Sequence, residues 1–336
     1  MTIARADDDG PLTDQIARAA GTLAAADEVA LACHVNPDAD ALGSMLGLAA
    51  FLRERGIRTV CGVPNEPLEL PRWASMLPGA DAIVAPEAFP THPDVMVTCD
   101  CASWDRLVNL TRSAERAREL IWIDHHRSND GRGTIRVVDP AASSTCELVF
   151  RVVEEIGGPM PTGTAVALYA GLVTDTGRFQ YEATTPETLR VAATLREHDF
   201  DHARLVQALY EDNARAYLEL VGVALQRLAF VHDADLIWTY LTQADLSAAG
   251  VHPSETDDLI DVIRTDRDAD VAVLVKQQKD GRFKVSMRSR GAHDLAAVAS
   301  SFGGGGHRLA AGFTSDRGPA GTIAAIVEAL SVPAAR

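Results

Sequence analysis

The sequence predicts an α/β protein: a mostly parallel sheet with helices on both faces, followed by a smaller α+β domain. Two observations support this class. In the first half of the chain, short apolar runs alternate with segments of helical spacing, which is typical of parallel strands connected by helices. After Phe230 the apolar runs are instead joined by turn sequences, which favours hairpins. We therefore expect two domains with separate cores, for which 336 residues suffice.

The elements of the first half follow from this alternation. The predicted strands are 29–33, 59–63, 94–99 and 120–123, and the predicted helices are 41–54, an apolar segment ending at Asp175, 187–197 and 202–228. Ligands bind such sheets beyond the carboxyl ends of the strands. Because His34, Asp100 and Asp124 follow three of these strands directly, we expect them to converge on one site.

The second half predicts hairpin-linked strands with a few short helices. Its predicted strands are 236–241, 271–275 and the run starting at 283, and its predicted helices are 256–264 and 294–301. The turn Lys279-Asp280-Gly281-Arg282 separates two of the strands. These features predict a compact α+β domain at the end of the chain.

The composition narrows the class of protein. The longest apolar stretch, 164–173, is far shorter than the ~20 residues of a membrane span, so no membrane association is expected. Residues 7–9 are all Asp within a start that lacks an apolar core, which argues against a signal peptide. The five cysteines form no Cys-x-x-Cys pair and favour reduced thiols. We expect a cytoplasmic protein.

The charge distribution restricts the partners. A net charge of −16 argues against binding of long nucleic acid through its phosphates, although it leaves short anionic substrates open. The segment 276–308 is locally basic, with seven Lys or Arg against two Asp or Glu. This segment is either a small anion-binding patch or a solvated strand face.

Four acidic or histidine-bearing segments together contain enough ligands for two metal ions. The candidate residues are His34, Asp38, Asp40, Asp100, Asp124, His125, His126 and Asp175. Each could alone be a helix cap, a turn residue or a core histidine, and in that alternative Asp40 caps the helix starting near Ala41. Imidazole and carboxylate ligands without thiolate suit an ion such as Mn²⁺. Two ions ~3.5–4 Å apart assist in-line displacement at phosphorus, so the set predicts phosphoester hydrolysis.

These residues resemble the motifs of the DHH phosphoesterase superfamily, named for the tripeptide found here as Asp124-His125-His126. The motifs around His34, Asp100 and Asp175 are also present, and Gly303 to Arg308 followed by Ala310-Ala311-Gly312-Phe313 is similar to the glycine-rich motif of the DHH-associated domain. The resemblance implies a DHH metal-binding catalytic domain at 12–200, a helical connector at 201–228 and a DHH-associated substrate-binding domain at 229–333. It places the active site in the cleft between the two domains.

The resemblance also implies roles for individual residues. His34 and Asp38 bind the first of two divalent ions, expected to be Mn²⁺; Asp40, His125 and Asp175 bind the second; and Asp100 bridges both. Asp124 and His126 are catalytic, with His126 facing the reacting phosphate. The implied substrate-binding residues are Arg127, Asn129, Arg288, Gly303, Gly304, Gly305, Gly306 and His307.

Size and architecture select a subgroup within the superfamily. The chain has no room for the extra domain of RecJ-type exonucleases, and the segment 286–290 matches the pyrophosphatase motif poorly. It best resembles the stand-alone enzymes that hydrolyse nanoRNA, including pApA-type dinucleotides, and remove the 3′-phosphate of 3′-phosphoadenosine 5′-phosphate (pAp). A cyclic-di-AMP phosphodiesterase and a non-catalytic nucleotide sensor are the alternatives, and a homodimer is left open.

Overall fold

The computed structural model describes residues 10–331 as two compact units, so residues 7–9 and the predicted domain end at 333 lie outside this part of the chain. Unit 1 extends to Asp212 and unit 2 begins at Asn213. The division falls within the segment predicted as a connector, 201–228. None of the described helices has both the length and the apolar character that a membrane span requires.

Unit 1 combines a five-stranded sheet with helices. Its strands are β1 Glu28–Cys33, β2 Arg58–Gly62, β3 Val95–Cys99, β4 Glu119–Asp124 and β5 Ile135–Val138. Its helices are α1 Leu12–Ala24, α2 Ala39–Glu54, α3 Thr111–Arg116, α4 Thr145–Ile156, α5 Thr162–Asp175, α6 Pro186–Arg196 and α7 His202–Tyr210. The strand order is β2-β1-β3-β4-β5 and every pairing is parallel, as the sequence predicts.

Alternate residues of a strand point to opposite sides of the sheet, and on this sheet both sides are covered by a core. On β1, Val29 and Leu31 belong to the larger core, which α1, α2, α4 and α5 also line. Ala30 and Ala32 belong to a second core, lined by the 3₁₀ segment Trp104–Leu110 and by α3. The predicted arrangement of helices on both faces is therefore confirmed.

Glycines allow α2, α4 and α5 to approach one another closely. A Cβ on Gly43 of α2 would lie 2.4 Å from the carbonyl oxygen of Ala167 in α5. A Cβ on Gly171 of α5 would lie 2.3 Å from Cys146 Sγ in α4 and 2.8 Å from Asp40 Cα in α2. The start of α4 therefore packs directly against the start of α2.

Unit 2 contains a six-stranded mixed sheet. Its strands are β6 Ala229–Val231, β7 Leu236–Leu241, β8 Val271–Gln277, β9 Phe283–Ser289, β10 Gly305–His307 and β11 Ala310–Ser315. Its helices are α8 Arg215–Gln226, α9 Gln243–Ala249, α10 Leu259–Ile263, α11 Leu295–Ser301 and α12 Pro319–Leu330. The strand order is β10-β11-β9-β8-β7-β6. A smaller α+β domain is thus present, as predicted.

Three details of the predicted elements are wrong. The helix predicted at 202–228 is two helices, α7 and α8, separated by exposed residues 211–214 that include Asp212 and Asn213, which favour turns over helix interiors. The helix predicted at 256–264 is limited to α10. Strands β7 and β8 are parallel, because α9 and α10 form a crossover between them, so only β8 and β9 form the predicted hairpin.

Candidate metal centre and active site

The strands of unit 1 place three candidate residues at one edge of the sheet. His34 follows β1, Asp100 follows β3 and Asp124 is the last residue of β4, and these strands are neighbours in the sheet. Asp100 has a φ of +59°, a left-handed conformation that is uncommon for residues other than glycine. Backbone strain of this kind is concentrated at functional sites.

His34, Asp38 and Asp100 form a first group of candidate ligands, with one ligand atom from each lying within 4.8 Å of the others. His34 Nε2 lies 3.4 Å from Asp100 Oδ2 and 3.7 Å from Asp38 Oδ2. Asp38 also caps α2, because its Oδ1 accepts a hydrogen bond from the Ala41 amide. The cap expected at Asp40 is therefore Asp38, and α2 begins at Ala39 rather than Ala41.

Asp40, His125 and Asp175 form a second group with the same spacing. His125 Nε2 lies 3.3 Å from Asp175 Oδ2 and 3.9 Å from Asp40 Oδ2. Asp40 is in the first turn of α2 and Asp175 is the last residue of α5. The close packing of these helices therefore brings residues 135 positions apart into one group.

Asp100 lies between the two groups and presents one carboxylate oxygen to each. Its Oδ2 faces His34 of the first group, whereas its Oδ1 lies 3.8 Å from Nε2 of His125 in the second. Asp100 is buried, so both directions are fixed by the fold. This is the arrangement expected of a carboxylate that bridges two ions.

The histidines of the site have raised pKa values. Burial opposes the charge on His34, but hydrogen bonds with Asp100 and Asp38 outweigh it and raise the pKa of His34 to about 10. Burial also opposes the charge on His125, and the Asp40 and Asp100 carboxylates raise its pKa. In the protein without metal, these imidazoles balance part of the negative charge of the site.

The pKa values of the four carboxylates shift in different directions, because hydrogen bonds with His34 lower those of Asp100 and Asp38 against the effect of burial. Burial and the Asp100 charge raise the pKa of Asp40 to about 7, and burial beside Asp40 and Asp100 raises that of Asp175 well above its usual range. Four carboxylates that lie close together, two of them buried, therefore need positive charge from protons or from cations. Oxygen and imidazole donors without an accessible thiolate suit divalent ions such as Mn²⁺. The residues present thus fit a two-metal centre.

Asp124 is oriented towards His126 and Asn129. Its Oδ1 lies 2.7 Å from His126 Nδ1, and its Oδ2 accepts a 2.6 Å hydrogen bond from the Asn129 amide. The other side of the Asn129 amide accepts a hydrogen bond from the Gly131 N–H. Substrate contact by Asn129 stays a prediction; in the structure its amide holds Asp124. Arg127 is exposed directly after the tripeptide.

Two of the predicted substrate-binding residues of unit 2 lie on nearby positions of its sheet. Arg288 of β9 is directly opposite Ala310 of β11, which in turn is opposite His307 of β10. Residues directly opposite one another point to the same face, so Arg288 and His307 share a face of the sheet. The predicted glycine loop is partly an edge strand, because Gly305, Gly306 and His307 form β10.

Two residues that the sequence did not indicate, Arg106 and Thr145, contact the site. Arg106 Nη2 lies 2.7 Å from His34 Nδ1, and Thr145 at the start of α4 contacts both Asp40 and Asp100. The pattern Ser144-x-x-Glu147 resembles a capping box and could have predicted the start of α4. No sequence signal relates that helix start to Asp40, which lies 105 positions earlier in the chain.

At one edge of a parallel sheet, an Asp-His-His tripeptide lies beside further candidate carboxylate and imidazole ligands. This arrangement defines a hydrolytic enzyme of the DHH class. The match to the N-terminal domain of the DHH family covers residues 28–172, and the match to the DHHA1 domain covers residues 236–331. The chain belongs to the DHH family. The expected resemblance is confirmed.

Two relatives extend over most of the chain. One is the "Bifunctional oligoribonuclease and PAP phosphatase NrnA" of Thermus thermophilus, 33% identical over 284 residues that cover 84% of this chain and 83% of the relative. The protein of the same name from Bacillus subtilis is 30% identical over 298 residues, covering 87% of this chain and 90% of the relative. Both are therefore similar in both domains.

A solved structure supports the fold. The "exopolyphosphatase-related protein" of Bacteroides fragilis superposes with a TM-score of 0.87, covering 95% of this chain and 96% of that one, at 24% identity. At this identity the likeness establishes the fold of the two units.

Proposed function

We propose that the protein is a two-metal phosphoesterase that hydrolyses short oligoribonucleotides to mononucleotides and removes the 3′-phosphate of pAp. One observation supports this proposal: the buried Asp100 carboxylate belongs to one group of three candidate ligands and lies 3.8 Å from His125 of the second group. The names of the two relatives, oligoribonuclease and PAP phosphatase, support the choice of substrates. The metal requirement and both substrates are parts of the proposal.

His34, Asp38 and Asp100 would hold one ion, and Asp40, His125 and Asp175 would hold the other, with Asp100 shared. At such a site divalent ions would neutralise charge on phosphoryl oxygens and lower the pKa of a bound water, so that hydroxide would be available for attack at neutral pH. Mn²⁺ is the ion we propose, since the donors are oxygen and nitrogen. The buried carboxylates of Asp40 and Asp100 would keep these positions fixed before substrate arrives, which is the preorganisation that phosphoryl transfer needs.

His126 is the residue that we assign to the reacting phosphate. Its Nδ1 lies 2.7 Å from Asp124 Oδ1, which fixes the orientation of the ring. Burial opposes its charge, but the Asp124 hydrogen bond and the Asp100 carboxylate raise the pKa of His126. A protonated imidazole held in this way donates to a phosphoryl oxygen or to the leaving oxygen of the substrate.

Unit 2 supplies the residues that we assign to substrate capture. Arg288 and His307 share a face of its sheet, and the bare backbone of Gly305 in β10 is exposed. Guanidinium, imidazole and backbone N–H groups all bind phosphate. Because the net charge of the chain is −16, this local binding favours dinucleotides and pAp over long RNA.

The test is a comparison of hydrolysis rates on pApA, pAp, a long single-stranded RNA and cyclic di-AMP. Each rate is measured with Mn²⁺, after chelation, and after Mn²⁺ is restored. We expect pApA and pAp to be hydrolysed in the presence of Mn²⁺, the long RNA slowly, and activity to disappear reversibly on chelation. Activity that survives complete chelation would exclude the two-metal mechanism.

Cyclic di-AMP separates the proposed function from its alternative. Faster hydrolysis of cyclic di-AMP than of pApA would make the protein a cyclic-dinucleotide phosphodiesterase that uses the same centre. Tight binding of all four compounds without any product would instead indicate a nucleotide sensor.

A further inference from the structure

We propose that Thr145 is a positioning residue for the metal centre: it holds Asp40 with its backbone and Asp100 with its side chain. The inference rests on the proposed two-metal function and assigns a new role within it. Thr145 is the first residue of α4, is fully buried, and is not among the candidate ligands.

The carboxylate of Asp40 is bound at both oxygens by the start of α4. The Thr145 N–H donates to Oδ2 at 2.7 Å, and the Cys146 N–H donates to Oδ1 at 2.9 Å. These amides have no partner within the helix, because the first N–H groups of a helix never do. Two donors, one on each oxygen, fix the plane of the carboxylate and leave its remaining lone pairs for an ion.

The hydroxyl of Thr145 fixes Asp100. Its Oγ1 donates a 2.8 Å hydrogen bond to Asp100 Oδ1, the oxygen that faces the second group of ligands. One residue therefore contacts two of the proposed ligands, Asp40 through its amide and Asp100 through its hydroxyl. The distance between the two carboxylates is set by a single rigid residue.

The segment that carries Thr145 is itself held firmly. Ser144 caps α4 by accepting a hydrogen bond from the Glu147 N–H. The buried carboxylate of Glu147 accepts hydrogen bonds from the Ser143 and Thr188 hydroxyls, at 2.6 and 3.0 Å. The absent side chain of Gly171 lets Cys146 lie against α2. Thr145 can therefore impose its position on the two carboxylates.

Removal of the hydroxyl has a specific expected effect. Thr145→Val keeps the volume and the backbone donor to Asp40, but Asp100 Oδ1 loses its buried partner. We expect the Asp100 carboxylate to rotate, which changes how the two ions share it. Loss of a group that orients a ligand typically weakens metal binding by about 10- to 100-fold.

The experiment compares Thr145→Val, Thr145→Ser and the wild type. Mn²⁺ affinity and stoichiometry are measured by isothermal titration calorimetry, and the magnetic coupling between two bound Mn²⁺ ions by electron paramagnetic resonance. Thr239→Val is the matched control, because Thr239 is also fully buried and its hydroxyl donates to a backbone carbonyl, that of Ala224, in unit 2. Circular dichroism checks the folding of each variant.

We expect Thr145→Val to bind Mn²⁺ about 10- to 100-fold more weakly with altered coupling, and both Thr145→Ser and Thr239→Val to resemble the wild type. Wild-type affinity and coupling in Thr145→Val would overturn the inference, as would an equal loss in Thr145→Ser. If Thr145→Val does not fold, Thr145→Cys replaces it with the same expectation, because a thiol is a weak donor. A wild type that binds no Mn²⁺ would refute the proposed function itself.

Discussion

Asp124 Oδ1 lies 2.7 Å from Nδ1 of His126, so the first and third residues of the Asp-His-His tripeptide contact each other directly. The second oxygen of Asp124 is bound by Asn129. Asp124 is fully buried, so its carboxylate has little freedom to turn towards an ion. The first residue of the Asp-His-His tripeptide therefore orients the third.

Asp124→Asn tests this relationship. We expect kcat for pApA to fall about 10- to 100-fold, because His126 loses the carboxylate that orients it, while two Mn²⁺ ions still bind. Rates and calorimetric stoichiometry are measured on the same preparation. Asp81→Asn, at an exposed carboxylate outside the site, serves as the control. Loss of one ion from Asp124→Asn would make Asp124 a ligand instead.

Asp100 and Asp175 are expected to differ in how many ions they affect. Asp100→Asn should weaken both Mn²⁺ sites, because Asp100 presents one oxygen to each group. Asp175→Asn should weaken one site only, since Asp175 belongs to the second group alone. Calorimetric titration with Mn²⁺ distinguishes the two patterns. An unchanged first site in Asp100→Asn would exclude a shared carboxylate.

Substitutions of the adjacent residues Gly304 and Gly305 are expected to affect folding and substrate binding of unit 2 separately. A Cβ on Gly305 would meet no atom within 4 Å, so Gly305→Leu should fold and bind Mn²⁺ normally while KM for pApA rises. A Cβ on Gly304 would lie 2.2 Å from the Gly312 carbonyl oxygen, so Gly304→Ala should lower the free energy of unfolding by about 1–3 kcal/mol. Urea unfolding and steady-state kinetics measure these effects. An unchanged KM in Gly305→Leu would mean that β10 does not contact substrate.

His307→Ala is the side-chain counterpart of Gly305→Leu. We expect KM for pApA and pAp to rise while Mn²⁺ stoichiometry stays at two, because the proposed ligands all belong to unit 1. Both quantities are measured at saturating Mn²⁺. Loss of an ion in this variant would give His307 a role in metal binding and would contradict the division of roles between the units.

The pair Arg227 and Asp245 makes the stability of unit 2 dependent on pH. Arg227 donates hydrogen bonds of 2.6 and 2.8 Å to the two oxygens of Asp245, and this pairing lowers the pKa of Asp245. Because the pKa of Asp245 is lower in the folded state, the ion pair stabilises the fold at pH values above the ordinary pKa of about 3.9. This stabilisation is lost as the pH falls through the pKa of the folded state. Asp245→Asn should thus cost about 1.5–3 kcal/mol at pH 7 and less at pH 3, as urea unfolding would show. An equal cost at both pH values would contradict this assignment.

The position of the candidate site in unit 1 could be predicted because three of its residues lie at the ends of strands. His34, Asp100 and Asp124 each come directly after an apolar run, and parallel strands place such residues together. The proposed grouping of ligands also agrees with the structure, which brings Asp40, His125 and Asp175 together. Their roles as metal ligands stay a prediction.

The contacts of Thr145 could not be predicted, because they depend on how α4 packs against α2. Local patterns reveal where a helix begins but not which distant carboxylate its first N–H groups meet. The same limit explains the error at β7 and β8, since an apolar run does not indicate whether its partner strand is parallel or antiparallel. The break between α7 and α8 could not be predicted from the apolar spacing, because a helical spacing continues on both sides of it.

The span of the proposed ligands, from His34 to Asp175, has a consequence for how the protein folds. No single hairpin or helix pair contains a complete group of ligands, so the centre forms only when contacts of long sequence separation are made, and such contacts form slowly. Partly folded chains would therefore bind ions weakly at this centre, and bound ions would stabilise the folded unit more than its partly folded forms. Metal would act as a selective ligand of the fully assembled domain and not as a nucleus for its folding.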